Sequence, residues 1–152
     1  MVTVRPAEAK DAEAIAGLLE EMDRFYGGTP NEPLDLQVAQ ISAALFSAAP
    51  MARALLAWEN DVLVGLASYS LLWPAVGLTQ SLYLKELYVA EANRHQGIGK
   101  MLMEALFSIA NDLGCSRVEW TTDTSNTAAQ RFYEELGVKP HASKIFYRSE
   151  LQ

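Results

Sequence analysis

Glycines and cations are closely spaced in residues 94–100, between an apolar run that ends at Val89 and a run of apolar residues at helical spacing. The segment consists of Arg94, His95, Gln96, Gly97, Ile98, Gly99 and Lys100. Glycine lets a backbone approach a phosphate without a Cβ clash, and the N–H groups and positive dipole at a helix start attract the phosphate oxygens. The segment therefore predicts an anion site. The alternative is a tight strand-to-helix turn in which the glycines serve only the geometry.

Two common phosphate motifs do not fit this segment. A Walker loop needs Ser or Thr directly after its Lys, but Met101 follows Lys100. The dinucleotide motif needs a third glycine three residues after Gly99, where Leu102 stands. The pattern that is left is Arg-x-x-Gly-x-Gly.

The elements that must position this segment alternate between strand and helix patterns. Strand patterns cover residues 2–5, 51–58, 62–72, 81–89, 117–121 and 144–151. Helical spacing covers residues 15–26 after a cap at Asp11, and then residues 35–46, 101–113 and 126–136. Since the sequence has no internal repeat and no linker, this order predicts a single mixed α/β domain over residues 1–152.

The charge of the chain argues against two classes of partner. The sequence has 12 Lys and Arg against 19 Asp and Glu, a formal net charge of −7, and most of the excess lies in residues 1–61. An acidic surface repels phosphate backbones and anionic lipid heads, so we expect no nucleic-acid and no membrane partner. A cationic ligand would be attracted, unless the acidity serves only solubility.

We expect neither a membrane span nor a secretion signal in this sequence. Residues 62–84 carry no charge, but Gly65, Pro74 and Gly77 divide them into segments too short for a membrane span. The chain reaches Arg5 and Pro6 too early for a secretion signal. Its one cysteine cannot form an internal disulfide. We therefore expect a cytoplasmic protein.

Three motifs taken together resemble the GNAT superfamily of N-acetyltransferases. They are residues 82–89 (LYLKELYV), residues 94–100 (RHQGIGK) and residues 126–133 (NTAAQRFY) followed by Leu-Gly. The resemblance implies a single mixed, mostly antiparallel twisted sheet flanked by helices, with acetyl-CoA as cosubstrate, an amine acceptor and a homodimer. Within the superfamily, the motifs are most similar to those of the spermidine/spermine (diamine) N-acetyltransferases.

The resemblance also assigns binding residues. It implies that residues 94–100 bind the pyrophosphate of acetyl-CoA and that Asn126 and Ala129 line the same cofactor. The donors implied for the acetyl oxyanion are the backbone N–H groups of Leu87, Tyr88 and Val89, on a strand that splays from its neighbour. The residues assigned to the acceptor amine are Tyr26, Lys85 and Glu86.

Acetyl transfer to an amine needs a proton acceptor and a proton donor. An alkylammonium with a pKa of about 10.4 is mostly protonated at neutral pH, so a carboxylate must accept a proton, and Glu86 is the carboxylate nearest to the loop strand. Tyr133 is the candidate donor to the leaving thiolate, because a phenol with a pKa of about 10 stays protonated at pH 7. Without the resemblance, Tyr133 would be interpreted as a packing residue and Asn126 as a helix cap.

One residue departs from the pattern of the superfamily. The resemblance implies acidic residues at both positions of the Lys85-Glu86 pair, but only the second is acidic here. Lys85 would repel a second ammonium group, which argues against a polyamine acceptor. The carboxylates that provide alternatives are Glu20, Glu21, Asp23, Glu119 and Asp123.

The favoured hypothesis is an N-acetyltransferase for a small cationic amine such as a polyamine, diamine, amino acid or aminoglycoside. One alternative is a protein N-terminal or lysine acetyltransferase, which needs an open groove beside residues 27–35 and 72–81. Another is a non-catalytic acyl-CoA-binding module, against which the intact Glu86 and Tyr133 argue. We expect no metal, because His95 and His141 lack the spacing of metal ligands.

Overall fold

The computed structural model describes residues 1–29 and 32–151. It divides into two compact units, Met1–Trp120 and Thr121–Gln152. Within the groove segment predicted at residues 27–35, Pro30 and Asn31 lie outside the described residues.

The first unit is built on a five-stranded sheet of its described residues. The strands lie side by side in chain order. They are β1 (Val2–Pro6), β2 (Arg53–Glu59), β3 (Val62–Leu72), β4 (Ser81–Val89) and β5 (Arg117–Glu119). Pairing is antiparallel from β1 to β4 and parallel between β4 and β5. The predicted mixed, mostly antiparallel sheet is therefore confirmed.

Three helices accompany this sheet and cover both of its faces. They are α1 (Ala12–Phe25), α2 (Leu34–Leu45) and α3 (Ile98–Asp112). Ile15 and Leu18 of α1 are buried in one cluster with Leu66 of β3. Because neighbouring residues of a strand face opposite sides, Gly65 faces the other helix, and a Cβ there would lie 3.1 Å from Leu102 Cδ1 of α3. Glycine at this position lets the first turns of α3 pack directly on the sheet.

Asp11 connects β1 to the start of α1. It precedes the helix as predicted, but its side chain makes no capping hydrogen bond to α1. Instead, Arg5 donates from Nη1 and Nη2 at 2.8 and 2.9 Å, and the Glu8 N–H donates at 2.7 Å. The hydrogen bond from Arg5 is the main reason why the pKa of the buried Asp11 carboxyl is lowered. Asp11 is therefore ionised at neutral pH and holds β1 against α1.

In the second unit, one predicted element forms and another does not. Helix α4 (Thr127–Glu135) forms, with Asn126 at its N-cap. The strand predicted at residues 144–151 is wrong, because no strand occurs among the described residues from 121 to 151. Ile145 and Tyr147 are 76% and 85% exposed. Apolar residues give this segment strand propensity, but a strand also needs a neighbouring strand to complete its hydrogen bonds.

Candidate functional site

The predicted anion segment, residues 94–100, connects β4 to α3 and is termed the phosphate loop. A short 3-10 turn, Glu91–Asn93, lies between the end of β4 and this loop. Two loop residues adopt left-handed backbone conformations, His95 with φ of 64° and Gly97 with φ of 80°. That conformation is readily adopted by glycine and is costly for other residues. The turn therefore itself requires glycine at position 97.

The start of α3 offers the N–H donors that an anion site requires. The first helical hydrogen bond runs from the Met101 N–H to the Gly97 carbonyl at 3.0 Å. The N–H groups of residues 98–100 therefore precede the hydrogen-bond ladder of the helix, at the positive end of its dipole. These donors fit a diphosphate such as that of CoA.

Two cations flank these donors. Arg94 is half-buried and makes no ion pair among the described residues. Lys100 is exposed, and its Nζ lies 3.9 Å from Glu104 Oε1 in the next turn of α3. His95 and Gln96, also predicted to contact the cofactor, are exposed. The loop thus combines positive charge with helix N–H groups, as the sequence predicted.

We expect Gly97→Val to weaken CoA binding by more than its effect on folding explains. Valine at a positive φ distorts the loop and moves the N–H groups of residues 98–100. Titration calorimetry of the folded variant measures this effect. The matched control is Gly114→Val, because Gly114 follows the other end of α3 with a similar φ of 72°. Equal CoA affinity in the two variants would show that Gly97 serves only the turn.

β4 is paired with two neighbouring strands along only part of its length. The ladder between β4 and β5 covers Ser81, Leu82 and Tyr83 and ends there. Near the phosphate loop, the positions predicted to bind the acetyl oxygen are paired with β3. The ladder between β4 and β5 therefore does not reach these positions, and the splay that the resemblance implied stays a prediction.

Strand geometry separates the three predicted oxyanion donors. Backbone N–H groups alternate between the two edges of a strand. The Ala90 N–H donates to the Val64 carbonyl of β3 at 2.8 Å. It follows that the Tyr88 N–H also points to β3, whereas the N–H groups of Leu87 and Val89 point away from β3. Leu87 and Val89 are thus the two positions where a backbone donor can meet an acyl oxygen.

Glu86 and Lys85 lie at an irregularity of β4. Glu86 pairs with Ser68 of β3, and the register then shifts, which leaves Lys85 as the extra residue of a β-bulge. Glu86 is half-buried and alternates with Tyr88, which is buried in the cluster with α1, so both lie on the α1 face of the sheet. Lys85 is exposed and has no ion pair within the described part of the chain. Lys85, which precedes the predicted base Glu86 in the chain, thus lies at the bulge.

The alternative carboxylates of the first unit already have partners or lie at the surface. Glu20 forms an ion pair with Arg24 at 2.7 Å. Glu119 accepts a hydrogen bond from the Ser81 hydroxyl at 2.6 Å, and Asp23 is exposed. Together with Glu21 and Glu91, Glu20 lines an open cleft of about 430 Å³ beside α1. The role of Glu86 as the base stays a prediction.

A link between α1 and β4 was not predicted from the sequence. Glu21 Oε2 accepts hydrogen bonds from the Tyr88 hydroxyl at 2.5 Å and from the Glu91 N–H at 3.1 Å. Tyr26, predicted to bind the acceptor, follows α1 with its ring 61% exposed and meets Phe25 edge to face at 5.2 Å. No residue type or spacing in the sequence signals this link.

The second unit carries the remaining predicted site residues. Asn126 Oδ1 accepts a hydrogen bond from the Ala129 N–H at 3.1 Å. Asn126 therefore caps α4, and the Ala129 N–H already has an acceptor within the helix. Tyr133 is half-buried, and its ring lies 5.1 Å from that of Phe132. Asn126 and Tyr133 are seven residues apart, about two helical turns, and therefore share one face of α4. Their roles at the cofactor stay predictions.

The described residues contain neither a metal-binding cluster nor a membrane-spanning helix. No group of three or more His, Cys, Asp and Glu side chains there can hold a metal ion. Among residues 1–29 and 32–151, no helix is long and apolar enough to cross a bilayer.

Comparison with known proteins agrees with this geometry. Residues 15–138 match the model of the acetyltransferase (GNAT) family. The chain belongs to this family. It is therefore an enzyme, an acetyl-CoA-dependent N-acetyltransferase, which confirms the interpretation of the three motifs. The match extends over residues of both units.

Relatives of this acetyltransferase include enzymes named for amino acids. A D-amino-acid N-acetyltransferase of Saccharomyces cerevisiae is 29% identical over 150 residues, which cover 97% of this chain and 89% of the relative. An L-ornithine N5-acetyltransferase of Arabidopsis thaliana is 35% identical over 81 residues, which cover 53% of this chain and 36% of the relative. The spermidine/spermine subtype stays a prediction, because neither relative is named for a polyamine.

A solved structure extends the similarity to the fold. An integron cassette protein from the mobile metagenome of V. cholerae aligns with a TM-score of 0.89 at 30% identity. The alignment covers 98% of this chain and 92% of that protein. The acetyltransferase fold is therefore shared over nearly the whole chain.

Proposed function

We propose that this acetyltransferase transfers an acetyl group directly to the amine of a small amino acid, at the end of β4 that lies beyond its ladder with β5. The observation that carries the proposal is that the β4–β5 ladder ends at Tyr83, while β4 continues to the phosphate loop. The loop is suited to the diphosphate, and the N–H groups of Leu87 and Val89 are suited to the acyl oxygen. When bound, acetyl-CoA supplies the acetyl group as a thioester.

Two side chains are proposed to move protons. Glu86 accepts a proton from the acceptor ammonium, directly or through water, because an alkylammonium with a pKa of about 10.4 is mostly protonated at neutral pH. Tyr133 donates its phenolic proton to the departing thiolate. Asn126 and Ala129 are proposed to lie along the cofactor. We propose that residues 1–152 act as one domain, and the family match across residues 15–138 supports this.

The proposed acceptor is an amino acid rather than a polyamine. An amino acid carries a carboxylate in addition to its amine, and the exposed Lys85 attracts a carboxylate and repels a second ammonium. The two relatives named for D-amino acids and L-ornithine support the same class. We propose that Tyr26, Lys85 and Glu86 contact this acceptor.

A thiol-release assay with acetyl-CoA tests the proposed acceptor class. The panel contains D- and L-amino acids, ornithine, spermidine, an aminoglycoside and peptides with free N-termini. We expect the highest kcat/KM with a free amino acid. A preference for peptides would favour the protein acetyltransferase, and CoA binding without thiol release from any amine would favour the non-catalytic module.

We also propose that the enzyme is a cytoplasmic homodimer. The exposed apolar side chains of the second unit support self-association, and they include Ile145, Phe146, Tyr147 and Leu151. The single cysteine, which cannot form an internal disulfide, supports the location. Light scattering is expected to give twice the 16.7 kDa mass of the chain. A monomer at high micromolar concentration would contradict the dimer.

A further inference from the structure

Arg94, the first residue of the phosphate loop, is held by aromatic rings from two other elements. Its guanidinium carbon lies 4.2 Å from the ring centroid of Phe25 and 5.2 Å from that of Tyr88. These two rings, termed the aromatic clamp, meet edge to face with their centroids 6.2 Å apart. Arg94 Nε also donates to the Val89 carbonyl at 3.1 Å. The guanidinium is thus confined by two rings and one carbonyl.

Glu21 fixes the aromatic clamp to α1. It lies four residues before Phe25, on the same side of the helix. Its carboxylate accepts the Tyr88 hydroxyl and the N–H of Glu91, in the turn that leads into the phosphate loop. Burial and the hydrogen bond to Glu21 raise the pKa of Tyr88 to about 12. The phenol therefore stays protonated at physiological pH and continues to donate to Glu21.

We propose that Phe25 and Glu21 are positioning residues that hold Arg94 ready to bind a phosphate group of CoA. Arg94 has no ion pair among the described residues, so its positive charge is not neutralised by a contacting carboxylate. A guanidinium that is ordered before binding loses less side-chain entropy when it meets a phosphate. The inference rests on the proposed binding of acetyl-CoA at the phosphate loop.

Titration calorimetry with CoA tests the role of the ring. We expect Phe25→Leu to weaken CoA binding about fivefold to tenfold, because it removes the ring on which the guanidinium stacks. Phe25→Tyr keeps a ring and is expected to bind within about twofold of the wild type. The Phe25 side chain is 45% exposed, so neither change should prevent folding. Equal affinity in wild type and Phe25→Leu would overturn the proposal.

Matched carboxylate variants test the second positioning residue. Glu21→Gln removes the charge that binds the Tyr88 hydroxyl, and we expect CoA binding to weaken about threefold. Glu20→Gln is the control, because Glu20 is the adjacent carboxylate and pairs with Arg24 instead. An equal effect of the two changes on CoA affinity would remove Glu21 from the proposal.

A double-mutant cycle separates positioning from a general effect on structure. Glutamine carries no cation to stack on the ring, so in an Arg94→Gln background Phe25→Leu should cause no further loss of CoA affinity. S-acetylpantetheine, which lacks the diphosphate, should be used equally well by wild type and Phe25→Leu. Additive losses, or an equal loss with both donors, would contradict positioning. Failure of the wild type to bind CoA would instead contradict the proposed function.

Discussion

Tyr133→Phe is expected to lower kcat by about 10²- to 10⁴-fold while acetyl-CoA affinity stays nearly unchanged. The substitution removes one hydroxyl and keeps the ring that packs against Phe132 at 5.1 Å. If the phenol protonates the departing thiolate, its loss affects the transition state much more than the bound ground state. The basic limb of the pH–rate profile should disappear as well, because it reports loss of the phenolic proton.

Steady-state kinetics and CoA titration together measure this separation of rate from affinity. Tyr147→Phe is a matched control, because it removes the same hydroxyl from a residue of the same unit that is 85% exposed. We expect the control to retain wild-type kcat. Full activity in Tyr133→Phe would exclude it as the donor.

The first and last residues of β3 and β4 could be predicted because the sequence patterns that indicate them lie within each strand and its flanking turns. Residues 62–72 and 81–89 are apolar runs with turn residues at both ends, and β3 and β4 have these bounds. The segment at residues 144–151 has strand-forming residues too, yet it forms no strand in the described residues. Whether a segment pairs depends on a neighbouring strand, and that information is not local.

The same distinction applies to the candidate site. The phosphate loop could be predicted because glycines, cations and helix start lie within seven consecutive residues. The bond between Glu21 and Tyr88 joins residues 67 positions apart, and the stacking of Phe25 on Arg94 is equally non-local. No residue type or spacing in the sequence predicts these two contacts, because phenylalanine at helical spacing ordinarily indicates core packing. The β-bulge at Lys85 depends on the register of two strands and was likewise not predictable.

The second large effect is expected at Glu86. If Glu86 accepts the proton of the acceptor ammonium, Glu86→Gln should lower kcat/KM for the amine about 10²-fold at neutral pH and leave CoA affinity unchanged. The loss should shrink as the pH rises towards about 10, because more of the amine is then already neutral. Glu13→Gln is the control, since Glu13 is an exposed carboxylate in the first turn of α1. If Glu86→Gln leaves the amine dependence unaltered, the base must be sought among Glu20, Glu119 and Asp123.

Lys85→Glu tests the neighbouring charge in the same assay. It replaces a cation at the β4 bulge by the acidic residue that the superfamily pattern implies, without changing Glu86. If Lys85 attracts the carboxylate of an amino acid, the variant should lose about tenfold in kcat/KM for amino acids and gain with spermidine, because the charge seen by a second ammonium changes from repulsive to attractive. The two variants therefore differ in kind: Glu86→Gln impairs every amine, whereas Lys85→Glu exchanges one acceptor class for another. A uniform loss in both would mean that Lys85 affects the shape of β4 rather than the choice of acceptor.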